Sequence, residues 1–324
     1  MRRRSHLFKA GLYLGVVASA FTLILLTASN SEPTTPWLTL VGAPFLSAFF
    51  TGIIVSGLLP VLENIFGVTT EISWLELSDL NHPLMRRLSI EAPGTYHHSL
   101  MVASLSEAAA ESIGANATMC RVCSYFHDIG KLTKPEYFIE NMTPGENPHD
   151  DLTTRMSALV LIAHVKDGVD LGIRRILSCQ ILDVIEQHHE TTMAWYFYKR
   201  ALDQRAELLK QAEETHANED DIPQVSEDVY RYPGPKPQFK EAAIISLADA
   251  IESASRSLDK PNASRIEPLI NAIVQHRVSD GQLDECDLTI AELARINARF
   301  AKKLLSMIHD RDKYGHPTYD AATD

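Results

Sequence analysis

Two long stretches without charge open the chain, and a series of amphipathic segments follows them. Residues 10–31 and 37–62 contain no Asp, Glu, Lys or Arg, and the first includes the apolar run GLYLGVVASAFTLILL. A helix of that length crosses a hydrocarbon layer of about 30 Å. The linker SNSEPTTP between them is polar and carries two prolines, as a tight extramembrane turn requires. Residues 63–90 read as a junction, in which EISWLELSDL suits a short helix or a strand-like connector.

From Tyr96 onward the apolar positions recur at helical spacing. HHSLMVASLSEAAAESIG predicts a helix ending at Gly114, and ATMCRVCSYFHDIG one ending at Gly130. DLTTRMSALVLIAHVKDG predicts a helix ending at Gly168, followed directly by IRRILSCQILDVIEQHHE. A polar helix rich in Lys, Arg and Glu follows over 193–216, then an acidic loop, ANEDDIPQVSED, and a proline-rich turn, YPGPKP. FKEAAIISLADAIESASRSL and two further segments complete the helices before a polar tail. No internal repeat is present. The expected architecture is all-α, a helical bundle preceded by two transmembrane helices.

Charge sets orientation and excludes one class of partner. Arg2, Arg3, Arg4 and Lys9 precede the first span, which places the N-terminus and, after two crossings, the helical body in the cytoplasm, with the inner membrane as the anchor. A secretory signal peptide is the rival reading of the first stretch, and it leaves the body on the same side. The net charge of −12 argues against binding a nucleic-acid polymer. It leaves room for a small anionic ligand if metal ions supply local positive charge. Cys120 and Cys123 form a C-x-x-C, read as two small buried apolar residues rather than a redox pair or half a zinc site.

Thirteen histidines occur, and most read as isolated residues: His6, His82, His149, His216, His276, His309 and His316. His97 adjoins His98, but neighbouring side chains on a helix diverge by about 100°, so the two need not share a site. Five other positions or pairs stand out. His98, His127 with Asp128, His164, His188 with His189, and Asp249 lie in or at the ends of apolar helices. Polar groups there need partners. Mixed imidazole and carboxylate donors suit two divalent transition ions, and a two-metal site implies hydrolysis, most plausibly of a phosphate ester.

In that order the residues follow H…HD…H…HH…D, which resembles the two-metal HD-domain phosphohydrolases. GLLPVLENIFGVTT, LELSDLNHPLMRRLSIEAPGTYHHS, YFHDIGK, VIEQHHE and YPGPKPQFKEAAIISLADAIESASRSL resemble the membrane-anchored 7TM-HD branch, bacterial cyclic-di-AMP phosphodiesterases. The resemblance covers about residues 45–314, and APGTYHHS with HDIGK and PGPKPQ makes it specific. It implies a membrane anchor over 1–66, a juxtamembrane connector over 67–95, an HD domain over 96–312 and a polar tail over 313–324. It implies His98, His127, Asp128 and Asp249 around one metal and His164, His188 and His189 around the other, with Asp128 bridging. Manganese or iron is the expected metal, and hydrolysis of cyclic di-AMP to linear pApA the expected reaction. Lys131 is expected to contact a phosphate oxygen, with a helix-capping surface lysine as the alternative. Arg256 is expected to hold a second phosphate, with an internal salt bridge as the alternative. Tyr96 reads as packing rather than base stacking.

The family carries a large extracytoplasmic sensor domain and seven spans, whereas two spans precede the HD region here. A naturally short member and a split or mis-started gene product are both compatible with that. Two functional alternatives remain at this level: an HD enzyme for another cyclic dinucleotide or nucleotide, and a non-catalytic nucleotide-binding membrane receptor. The 193–216 helix suits either solvent or a homodimer contact.

Overall fold

The computed structural model describes residues 4–29, 35–66, 68–143, 145–215, 218, 222–258 and 262–313. The expected acidic loop lies partly, and His216 and the tail beyond Lys313 wholly, outside the described residues. The chain divides into two compact units, residues 1–79 and 80–324.

In the first unit α1 (Arg4–Ala28) and α2 (Trp37–Phe66) pack against each other, and α3 (Glu71–Leu77) follows. The junction segment is therefore helical, started by Thr70 as N-cap. Both α1 and α2 are long and apolar enough to cross a membrane. Leu14, Phe21, Leu38 and Ile54 face outward, which suits a lipid solvent rather than water. The backbones approach closely at Gly11, where a Cβ would sit 2.9 Å from the Ala48 carbonyl oxygen. Small residues at a membrane helix interface permit this contact. Thr51 and Ser56 return their hydroxyls to carbonyls one turn back, at Ser47 and Gly52, so these two hydroxyls need no water.

The second unit is a bundle of nine α-helices among the described residues. In order they are α4 (Pro83–Glu91), α5 (Pro93–Ile113), α6 (Ala117–Phe126), α7 (Thr154–Arg174), α8 (Cys179–Gln187), α9 (Trp195–Thr215), α10 (Lys240–Arg256), α11 (Ala263–Ser279) and α12 (Ile290–Lys313). Helix α5 is central: it packs on α4, α6, α10 and α12. Val102, Leu105, Val122, Phe126, Ile244, Leu247 and Phe300 lose all solvent contact in this core. Helix α5 stops at Gly114, whose φ of 77° is a left-handed C-cap. Asn116, Thr153 and Asn262 cap the starts of α6, α7 and α11. Cys120 and Cys123 are fully buried, and burial pushes both thiols well up, as two packing residues should behave.

Three boundaries differ from the sequence reading, each for a physical reason. Helix α6 ends at Phe126, and a 3-10 turn, Ile129–Thr133, carries the chain on to Lys131. Helix α7 runs through Gly168 to Arg174, so Gly168 is a packing glycine rather than a terminator. A Cβ there would meet Ile185 Cγ2 at 2.8 Å. Residues 175–178 are consequently the turn between α7 and α8, with Ile176 at a positive φ of 56°.

Gly130 is the tightest of these contacts. A Cβ on it would lie 1.8 Å from the His164 carbonyl oxygen and 2.6 Å from the Gly168 nitrogen. This contact sets the 3-10 turn directly on α7. Gly130→Ala is expected to destabilise the protein by about 3 kcal/mol through overpacking. It should also weaken Mn²⁺ binding, because Asp128 and His164 flank the contact. Thermal unfolding together with Mn²⁺ titration of the variant checks both, and wild-type values in both would rule the contact unimportant.

Candidate metal centre

All seven sequence-derived ligand candidates meet in the second unit. His98 comes from α5, His127 and Asp128 from the end of α6, His164 from α7, His188 and His189 from the end of α8, and Asp249 from α10. The two adjacent pairs reach one site because their helices end between or beside them. His127 and His188 are the C-cap residues of α6 and α8. Asp128 then leaves the helical path, at φ −108° and ψ 16°. His97, inside a continuous helix, diverges from His98 and is exposed. Tyr96 is half-buried.

Asp128 is 1% exposed, and its two oxygens face two sets of imidazoles. Oδ2 lies 3.5 Å from His98 Nε2 and 3.3 Å from His127 Nε2. Oδ1 lies 3.4 Å from His164 Nε2 and 3.6 Å from His188 Nε2. Asp249 Oδ1 is 2.9 Å from His98 Nε2 and 3.9 Å from His127 Nε2, while its Oδ2 is 3.8 Å from His189 Nδ1. His98, His127 and Asp128 form one ligand-competent group, and Asp128, His164, His188 and His189 the other.

The tautomers suit metal binding. Nδ1 of His127, His164 and His188 faces the carbonyl three residues back, at 2.7, 2.5 and 2.8 Å. A carbonyl only accepts, so each Nδ1 carries the proton and each Nε2 presents a lone pair inward. His98 Nε2, His127 Nε2 and Asp128 Oδ1 are buried without a hydrogen-bond partner. Unpaired buried polar atoms are expensive, and a cation shared among them removes the cost. The residues therefore fit a pair of divalent ions.

Electrostatics agree. Burial opposes the Asp128 and Asp249 anions, but Lys131 and His127 beside Asp128, and His127 and His98 beside Asp249, hold both carboxyls well below their ordinary range. Burial and the neighbouring His188 and His164 keep His189 neutral. Burial also opposes a charged His98 ring. Asp249 and Glu252 beside it, with Asp128 beyond, outweigh that and push its pKa up from 6.5 to about 9.

The motifs around the ligands hold this arrangement. In APGT, Gly94 lets the 140–141 segment approach, and Asn141 Oδ1 accepts from the Gly94 and Thr95 amides at 2.9 and 3.2 Å. Glu140, fixed there by Thr95, accepts from Lys131 Nζ at 2.8 Å. Lys131 Nζ is also 2.8 Å from Asp128 Oδ2. In the HHE segment, Glu190 takes a positive φ of 58° and is fully buried. Ser246 Oγ and Arg277 Nη1 each donate to it at 2.7 Å, which offsets the cost of that turn and aims both histidines. The segment around YPGPKPQ runs beside the turn after His189, where Tyr232 N donates to Thr192 O at 2.8 Å. Tyr232 thereby stacks on His189 with ring centres 4.3 Å apart.

Beside the cluster lies a cavity of about 420 Å³, lined by Lys131, Phe138, His149, His164, His189 and Tyr232 among others. Arg256 does not line it: its Nη2 is 3.0 Å from Glu252 Oε2, the internal salt bridge that the sequence left as the alternative. Sequence reading missed four residues here. His149, set aside as isolated, is buried, and its Nε2 donates to the Tyr137 carbonyl. Glu140, Tyr232 and Glu252 carry no signal in spacing, although Glu252 sits one turn after Asp249 on the buried face of α10.

Comparison with known proteins agrees with this geometry. Residues 95–254 match the HD domain, and residues 1–70 match the 7TM receptor with intracellular HD hydrolase. The crystal structure of the L. monocytogenes phosphodiesterase PgpH HD domain superposes with a TM-score of 0.63 at 41% identity, over 71% of this chain and 100% of that one. The chain belongs to the 7TM-HD family. The same HD domain in complex with cyclic-di-AMP matches with a TM-score of 0.62 at 41% identity, over 70% of this chain and 98% of that one. Cyclic-di-AMP phosphodiesterase PgpH of Bacillus subtilis is 40% identical over 97% of this 7TM-HD chain, and that of Listeria monocytogenes 40% identical over 96%. The chain spans 42% and 41% of the length of these two relatives.

A cation at this centre competes with the His98 proton. In the metal-free chain the protonated ring between Asp249 and Glu252 stabilises the fold fully below pH 6.5, and that contribution is lost as pH rises through about 9. Between those limits the metal-free unfolding midpoint should fall while Mn²⁺ affinity rises. Thermal unfolding and Mn²⁺ titration at pH 6.5 and 9 test this, and an affinity that does not change with pH would contradict it.

Proposed function

We propose that this chain is a membrane-anchored, metal-dependent phosphodiesterase that hydrolyses cyclic di-AMP to linear pApA. The observation that carries the reading is Asp128, whose two oxygens address two separate imidazole sets. His98, His127, Asp128 and Asp249 would hold one ion, and Asp128, His164, His188 and His189 the other. Mixed imidazole and carboxylate donors suit manganese or iron better than magnesium, which prefers an all-oxygen shell. When bound, two divalent ions polarise a phosphoryl group and acidify water.

The protein residues supply the rest. Phe138, Tyr196, Phe197 and Tyr232 give the cavity aromatic walls on which a purine can stack. Lys131 stays protonated, because Asp128 and Glu140 outweigh the effect of burial, and it offers positive charge at the cavity wall. Arg256 keeps exposed donors at the outer end of its ion pair and is a second phosphate contact in this reading. Burial raises the Tyr232 phenol, so it remains a hydrogen-bond donor at neutral pH. In the reaction one P–O bond to ribose breaks. Water supplies hydroxyl to phosphorus and a proton to the departing ribose oxygen. The solved cyclic-di-AMP complex of the related HD domain supports this substrate class. The basic flank at Arg2, Arg3, Arg4 and Lys9 supports an inner-membrane anchor with the HD domain in the cytoplasm.

The test is turnover by the full chain in detergent micelles with Mn²⁺, following cyclic di-AMP and pApA by chromatography with cyclic di-GMP in parallel. Conversion of cyclic di-AMP is expected. Binding without cleavage by folded, metal-loaded protein would favour a receptor instead.

Asp128→Ala should abolish turnover and lower Mn²⁺ content together. Lys131→Gln should retain Mn²⁺ and lower kcat by about 10²-fold, the usual scale for losing one donor to developing charge. Wild-type kcat in Lys131→Gln would remove it from the mechanism.

A further inference from the structure

His98 differs from the other inward-facing imidazoles in what stands behind it. His127, His164 and His188 each set Nδ1 against a neutral carbonyl of their own helix. His98 Nδ1 instead meets the carboxylate of Glu252, 2.5 Å away on α10. Glu252 is 4% exposed, so solvent does little to satisfy its charge. Its second partner is Arg256, one turn further along the same helix, whose Nη2 lies 3.0 Å from the same Oε2. The guanidinium is half-exposed and pairs with the carboxylate from the outside.

Position on α10 adds a second consequence. Asp249 and Glu252 are three residues apart, on one face of the helix. Asp249 Oδ1 touches His98 Nε2, and Glu252 Oε2 touches Nδ1 of the same ring. One helix therefore provides both a ligand candidate and the group that orients the neighbouring ligand. A carboxylate behind an imidazole fixes its tautomer and rotation and raises its basicity as a donor. The His98 side also gathers three carboxylates within 3.5 Å of its ring, Asp128, Asp249 and Glu252, whereas the His164, His188 and His189 side has Asp128 and, 3.8 Å from His189 Nδ1, the far oxygen of Asp249.

We propose that Glu252 is a positioning residue that makes the His98–His127–Asp128–Asp249 position the tighter of the two for a divalent ion. The inference rests on the two-metal reading above and assigns an order of filling to it. Glu252 acts through His98 and touches no substrate.

The experiment uses the full chain in detergent micelles, stripped with chelator and titrated with Mn²⁺ while free Mn²⁺ is read by electron paramagnetic resonance. Wild type should show two binding steps. Glu252→Gln preserves size and removes the charge. It should weaken the tighter step by about 10- to 100-fold, the scale found for such supporting groups, and leave the weaker step in place. Glu252→Asp, which keeps the charge on a shorter arm, should fall between the two. Circular dichroism reports whether Glu252→Gln folds, and if it does not, Glu252→Asp decides on the same criterion. Two unchanged steps in a folded variant would overturn the proposal, as would equal weakening of both steps. Fewer than two Mn²⁺ in wild type would instead remove the two-metal reading beneath it.

Discussion

A carboxylate without solvent governs this domain. Asp128 is 1% exposed and has one oxygen with no hydrogen-bond donor, in a position ringed by imidazole nitrogens. Removing such an anion from water is costly unless positive charge surrounds it. Lys131 supplies part of that charge and is itself held between Asp128 and Glu140. The remainder is left to whatever the imidazoles bind. Helices α5, α6, α7 and α8 each bring an imidazole to this one group.

The geometry needed to serve it is unusual for a helical bundle. A continuous helix cannot aim adjacent side chains at one point, because successive residues turn by about 100°. The chain resolves this by ending α6 and α8 at the site, so that His127 with Asp128 and His188 with His189 sit where the backbone leaves the helix. The cost appears nearby, as the positive φ at Glu190 and the Gly130 contact that leaves no room for a side chain. Buried hydrogen bonds from Ser246 and Arg277 stabilise the first, and close packing of the 3-10 turn on α7 stabilises the second. Helix α10 then closes the ring with Asp249 and braces His98 with Glu252.

Outside the ligands, the specific sequence motifs serve as supports. APGT places Glu140 against Lys131, and the turn before PGPKPQ places Tyr232 against His189. Both supports also line the adjoining cavity, so the walls that receive a ligand are continuous with the braces of the metal candidates. Polar groups of the cluster thus meet aromatic surface within one pocket, the combination expected of a small-molecule site.

Much of this was legible from local pattern. Uncharged runs of more than twenty residues announce α1 and α2, and apolar residues at helical spacing announce the all-α body, because both depend on short-range periodicity. The seven ligand candidates were legible because polar residues in apolar helices demand partners, whatever the fold. Helix ends were less legible. Gly114 terminates α5, but Gly130 and Gly168 answer to contacts with other helices, and a glycine's sequence does not distinguish these uses. Glu140, His149, Tyr232 and Glu252 became visible only in three dimensions, since a supporting residue is defined by a neighbour up to 154 positions away. Composition and spacing determined which atoms were available to bind, and tertiary packing decided which of them share a charge, because a buried electrostatic partner is chosen by distance in space.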